Sequence, residues 1–192
     1  LNPAQDWTQR AINSYRCTYV QIANVKSWLP EEARCLVWFG WGAQSCTYLT
    51  PLFGSQLSLP EHFGRGFRSE YDENSGWWNN VLVQQLARIN YTAAIEDIKA
   101  ARDQKMLDQY DITFAIQNQA AKMIKNGQKE AALELLTTYS NQQANMWFET
   151  YDDLAKTLIS NYMLGAVKGS TWGIPYTDFW NELSASEWGQ YK

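Results

Sequence analysis

The chain has 192 residues, a net charge of −4, and 45% hydrophobic against 19% charged residues. This reads as one domain, or one domain with a small attachment, and excludes disorder over the whole length. No lysine/arginine run tracks a phosphate backbone and no stretch of ~18 apolar residues spans a bilayer, so nucleic acid and membrane drop out as leading partners.

Residues 4–16 (AQDWTQRAINSYR) predict a short helix marked by Trp7, Ile12 and Tyr15. Three β-like runs follow at 17–25, 35–41 and 45–53. The first alternates with a period of two, and the second is apolar almost throughout, the pattern of a strand covered on both faces. Pro30 in the first connection and the short Gly42-Ala43-Gln44 link suit antiparallel neighbours, with Pro51 at an edge or strand end. Glycine, serine and proline then punctuate a loop over 54–76.

From Trp77 the period becomes helical. Trp77, Trp78, Val81, Leu82 and Leu86 form one apolar face. In the long pattern over 91–126, Leu107, Tyr110, Phe114, Ala121 and Ile124 recur in steps of three and four and predict one buried stripe. Asn126-Gly127 reads as a helix stop. The next helix opens near Gln128, continues or restarts through Ala144, and carries Trp147, Tyr151, Leu154 and Leu158, which are expected to face that stripe. Gly165 and Gly169 end it, and the tail is free to wrap back on the body. The order of elements gives an α+β chain: β segment 17–53, loop 54–76, helical region 77–168 and tail 169–192. Three short strands with an apolar middle strand need more sheet. The expectation is that partner strands lie outside this chain, in an N-terminal half or in a second copy. The opening Leu1-Asn2-Pro3, with neither an initiator Met nor a signal-peptide pattern, points to a piece of something longer.

Candidate chemistry is sparse. Cys17, Cys35 and Cys46, with the single His62, lack metal-site spacing, and nothing calls for a cofactor. The odd cysteine count fits reduced, buried thiols, with one bridge plus a free thiol left open. Asp152-Asp153 and Glu31-Glu32 read as solvated charge, and His62 as an ordinary loop histidine. The 10 tryptophans read mainly as core, although exposed indoles also form platforms for sugars or peptides. Asn90-Tyr91-Thr92 matches a glycosylation acceptor of a kind that arises often by chance. One helix pair around Asn126-Gly127 is too little for a tetratricopeptide array.

The blocks LVWFGWGAQSCTYLTPLF (36–53), LPEHFGRG (59–66), SGWWNNVLVQQLARINY (75–91), ELLTTYSNQQANMWFETYDDL (134–154) and NYMLG (161–165), with KSWLPEEA (26–33) ahead of them, occur in an informative order. Together, over roughly 10–168, they resemble the C-terminal half of the dipeptidase A (secernin-like) family, cysteine peptidases of the N-terminal-nucleophile hydrolase superfamily. The resemblance implies an αββα sandwich. It implies a cysteine nucleophile at the mature N-terminus, activated by its own α-amine, and dipeptide substrates. The chain opens on Leu1, so the nucleophile is expected in a missing N-terminal segment; Cys17, Cys35 and Cys46 do not inherit the role, and this chain is expected to be inactive by itself. Arg16 and Lys26 are the basic candidates for substrate binding, Lys26 standing where the family often has an arginine, whose bidentate fork lysine cannot reproduce. The competing reading is a non-catalytic helical interaction or ligand-binding domain with a tryptophan-lined surface.

Overall fold

A computed structural model describes residues 13–163. Its sheet has three antiparallel strands in the order β1 (Tyr19–Val25), β2 (Cys35–Trp41), β3 (Thr50–Phe53), with β2 in the middle. A single helical turn, α1 (Glu31–Arg34), lies in the connection between β1 and β2. After the loop come α2 (Gly76–Ala87), α3 (Tyr91–Lys125) and α4 (Lys129–Tyr162), the last one unbroken helix. Three antiparallel strands followed by long helices is the architecture expected. The predicted helix over 4–16 is not formed in its described part, where 13–16 is bend and turn; residues 4–12, Gly165, Gly169 and the tail lie outside the described residues.

Register decides the faces of the sheet. Tyr19 pairs with Trp41 and Val25 with Cys35, while Leu36 pairs with Phe53 and Phe39 with Thr50. Side chains alternate, so Leu36, Trp38 and Phe53 share one face. There they are buried with Ala120 of α3 and with Ala132, Leu136 and Tyr139 of α4. Tyr19, Val25, Val37, Phe39 and Leu52 share the other face, where they are exposed or half-buried. β2 is therefore sealed by α3 and α4 on one face and covered only in part on the other, where Phe63 of the loop after β3 meets Phe39 at 6.0 Å and Trp41 at 5.8 Å while Val37 stays half-buried.

The run at 45–53 forms a strand only over Thr50–Phe53. The reason is where its carbonyls go. Arg102 Nη1 donates to the carbonyls of Ser45 (2.7 Å) and Thr47 (3.1 Å), Tyr151 Oη to that of Cys46 (2.9 Å), and Gln109 Nε2 to that of Leu49 (2.7 Å). With side chains of α3 and α4 satisfying these groups, no strand ladder is needed. The segment crosses so close to the sheet that a Cβ on Gly40 would collide with the Tyr48 carbonyl oxygen.

The helices are set by local signals. Ser75 Oγ accepts from the Trp78 amide and caps α2; Asn90, of the glycosylation match, accepts from the Ala93 amide and caps α3. Gly127 (φ 80°) makes the predicted stop between α3 and α4. The predicted faces need correction. Leu86 of the predicted α2 face is buried, but Trp77, Trp78, Val81 and Leu82 are only half-buried, and α2 also buries Asn79, Asn80, Val83 and Gln84. On α3, Leu107 is 65% and Tyr110 51% exposed, with Phe114 and Ile124 half-buried. Of the predicted stripe, Ala121 is fully buried. The buried row is Gln109, Thr113 and Gln117, in steps of four. Trp147, Tyr151, Leu154 and Leu158 of α4 are buried as expected, but against Val83, Leu86, Ala94 and Ile98, from α2 and the start of α3.

Gln109 is satisfied at both ends, since Trp147 Nε1 donates to its Oε1 at 2.6 Å while its Nε2 holds the Leu49 carbonyl. Gln109→Ala leaves a buried indole N–H and a buried carbonyl unpaired and is expected to cost about 3 kcal/mol. Leu107→Ala is expected to stay within about 0.5 kcal/mol. Urea unfolding midpoints of the two variants check this ordering.

Candidate functional site

A cavity of about 760 Å³ opens between residues 15–18, which lead into β1, and helix α2, with Arg68 reaching in from the loop. Trp77, Val81, Gln84 and Gln85 follow the helical repeat and line one flank of α2. The opposite wall is irregular chain, and Gln84 holds it. Its Nε2 donates to the Tyr15 carbonyl at 2.6 Å, and its Oε1 accepts the Ala43 amide at 2.8 Å. The Gly42 amide donates to the Thr18 carbonyl at 2.9 Å, and the Arg88 guanidinium lies 4.5 Å from the centre of the Tyr15 ring.

The two indoles are fixed as well. Trp77 and Trp78 meet edge to face at 4.7 Å, and Trp78 Nε1 donates to the Phe67 carbonyl at 3.0 Å. Ser75 Oγ donates to the Arg65 carbonyl at 2.9 Å, tying the loop to the start of α2. Arg16, Arg68 and Cys17 stand in the same wall, with no aspartate or glutamate among the described lining residues. The arrangement offers a positively charged cleft with an aromatic flank, suited to a small ligand carrying negative charge and apolar surface.

Arg16 thus lines a cleft, and Lys26 does not join it. The seven residues of β1 separate them, about 23 Å of extended chain. The Lys26 ammonium donates to Gln117 Oε1 at 2.7 Å and sits 3.9 Å from the centre of the Phe114 ring; partial burial draws its pKa down. Glu32 pairs with Lys129 at 2.6 Å, and Asp152 and Asp153 both pair with Lys156, the solvated roles expected of them. No disulfide joins the three cysteines. Cys46 is buried, its thiol pushed up by desolvation and 3.6 Å from the Ser45 hydroxyl. Trp38 and Trp147 are core, whereas Trp28 is 73% exposed; Trp7, Trp172, Trp180 and Trp188 lie outside the described residues.

Sequence reasoning missed Arg68 and Gln84. Nothing local marks an arginine in a Gly-Arg-Gly-Phe-Arg loop as part of a cleft, and Gln84 acts on backbone more than forty residues away. It also missed the setting of His62, which is buried in the 3₁₀ turn Glu61–Phe63 and stacks on Phe148 at 4.7 Å.

Comparison with family models matches residues 2–104 to Peptidase family C69. Comparison with curated proteins found no match. The matched span takes in the whole sheet, the cleft, Arg16, Lys26, His62, Arg68 and all three cysteines. It ends within α3, short of the blocks at 134–154 and 161–165.

Burial pushes the His62 imidazole below its ordinary value of 6.5, and its Nε2 has no hydrogen-bond partner among the described residues. As pH falls, the unfolded chain takes up this proton before the folded one does. Stability is therefore expected to hold above about pH 7 and to decline as pH drops through 6.5 toward the folded pKa. The lowered carboxylates Glu32 and Asp72 act at lower pH, because their ordinary values are 4.5 and 3.8. Urea midpoints between pH 7.5 and 5.5 measure the decline, and His62→Phe is expected to flatten it.

Proposed function

The chain belongs to peptidase family C69, and from that premise we propose that it is the C-terminal part of a cysteine dipeptidase. It contributes one sheet and one helical layer to an αββα sandwich, and the nucleophile is an N-terminal cysteine carried by polypeptide outside this chain. The observation that supports this reading is the one-sided sheet. Leu36, Trp38 and Phe53 are sealed under α3 and α4, while Val37, Phe39, Tyr19 and Val25 on the opposite face remain half-buried or exposed. Phe63 meets Phe39 and Trp41 there, but Tyr19, Val25, Val37 and Leu52 leave an apolar surface that a second layer would cover. A second sheet is the layer an αββα sandwich supplies.

In the assembled enzyme the α-amine takes the proton of the cysteine thiol, and the thiolate attacks the carbonyl carbon of the peptide bond. The resulting oxyanion is held by hydrogen-bond donors. The C–N bond breaks as the amine leaves with a proton, and water then cleaves the thioester. Cys46, buried and with its thiol pushed up, is not suited to this attack.

Two measurements test the proposal. Release of free amino acids from a dipeptide panel is expected from the polypeptide that joins this chain to a preceding cysteine-initiated segment, and is expected to be absent for the 192-residue chain. Turnover by the 192-residue chain that is lost in Cys17→Ala, Cys35→Ala or Cys46→Ala would move the nucleophile into it and overturn the proposal. Light scattering over a dilution series is expected to show self-association of the 192-residue chain through its bare face. A concentration-independent 22.2 kDa monomer that binds no hydrophobic dye would remove the need for a second sheet.

A further inference from the structure

Among the described arginines, most have their guanidinium spent inside the protein. Arg34 donates to the Leu29 carbonyl, Arg65 pairs with Glu61 and with Asp72, Arg88 donates to Gln85, and Arg102 holds the carbonyls of Ser45 and Thr47 while pairing with Asp103. Two differ. Arg68 makes no hydrogen bond or ion pair with any described residue. Arg16 uses only Nε on a described side chain, donating to Tyr15 Oη at 3.0 Å, and neither terminal nitrogen of its fork bonds a described residue. These same two arginines line the one cleft between residues 15–18 and α2.

We propose that this cleft is a carboxylate subsite, which takes the free carboxylate of a small peptide on Arg16 and Arg68 and the adjoining apolar or aromatic side chain against Trp77 and Trp78. It rests on the peptidase reading for the choice of a peptide as ligand; the charge and shape of the cleft are independent of it. Two guanidiniums in one concavity, with no acidic side chain among the described residues of its wall, repel each other and attract an anion. A carboxylate matches the fork of a guanidinium in geometry as well as in charge, and such charge-assisted bonds are the strong ones. The half-buried indoles supply a rigid apolar flank at little entropic cost. The volume of about 760 Å³ is within the range of small-molecule pockets. Gln84 acts here as a positioning residue. By gripping the Tyr15 carbonyl and the Ala43 amide, it fixes the backbone that carries Arg16.

The test is calorimetric titration of the 192-residue chain with glycyl-phenylalanine and with its C-terminal amide, at low and at moderate salt. The acid is expected to bind at least about tenfold more tightly than the amide and to weaken as salt is raised. Arg68→Gln and Arg16→Gln are each expected to lose about tenfold for the acid and little for the amide. Lys125→Gln, far along α3, is expected to leave both unchanged, and circular dichroism verifies that every variant is folded. Equal binding of acid and amide, binding of neither, or a folded Arg68→Gln that binds as the parent does overturns the subsite. Failure of the two proposals is distinguishable. Carboxylate-dependent binding without dipeptide turnover in the assembled enzyme leaves the subsite standing and removes the dipeptidase. An assembled enzyme that cleaves dipeptides with KM unchanged by Arg68→Gln removes the subsite alone.

Discussion

Buried side-chain amides hold this protein together where regular secondary structure does not. The segments 13–18 and 42–49 are irregular, yet they run against the helices and carry backbone groups that no ladder pairs. Gln84 takes the Tyr15 carbonyl and the Ala43 amide, Gln109 takes the Leu49 carbonyl, and Gln117 takes the Ala33 carbonyl. An unpaired buried backbone group costs about 1–3 kcal/mol, so each amide both removes a penalty and fixes the distance between a helix and the chain beside it. Arg102 and Tyr151 complete the set over Ser45, Cys46 and Thr47.

This explains why the sheet is small and one-sided. Side chains of α3 and α4 capture the carbonyls just ahead of β3, so β3 is held to four residues. The amide row of α3 also seats that helix on the face that carries Leu36, Trp38 and Phe53. Gln117 reaches past it to Ala33 and receives the Lys26 ammonium, so the basic residue after β1 serves the fold at that point. The opposite face carries Tyr19, Val25, Val37, Phe39 and Leu52, exposed or half-buried. The chain belongs to peptidase family C69, and its sheet carries α3 and α4 against Leu36, Trp38 and Phe53.

The cleft follows from the same constraint. Gln84 can reach Tyr15 only if residues 15–18 lie along α2, and that placement turns Arg16 toward the flank of Trp77 and Val81. The loop is tied down by Ser75 Oγ on the Arg65 carbonyl and by the Trp78 indole on the Phe67 carbonyl, which brings Arg68 to the same opening. Positive charge with no counter-charge among the described residues of its wall is therefore a by-product of how two irregular segments are docked. A glutamate or aspartate at one of the other lining positions would have offset half of it.

The sequence by itself determined the order of elements, the antiparallel strand pairing, the stop at Asn126-Gly127 and the buried row of α4, because period, turn residues and caps act over a few residues. It determined the family resemblance too, through blocks that persist in order. What only the tertiary structure decided is which face of α3 is buried, where β3 begins, which arginines remain unspent and that Lys26 is tied to Gln117. Hydrophobic periodicity assumes that the interior is apolar. Here the row Gln109, Thr113 and Gln117 of α3 is polar, since its partners are backbone carbonyls and the side chains of Trp147, Tyr139 and Lys26, and a glutamine buried to satisfy a distant carbonyl is indistinguishable in sequence from one facing water.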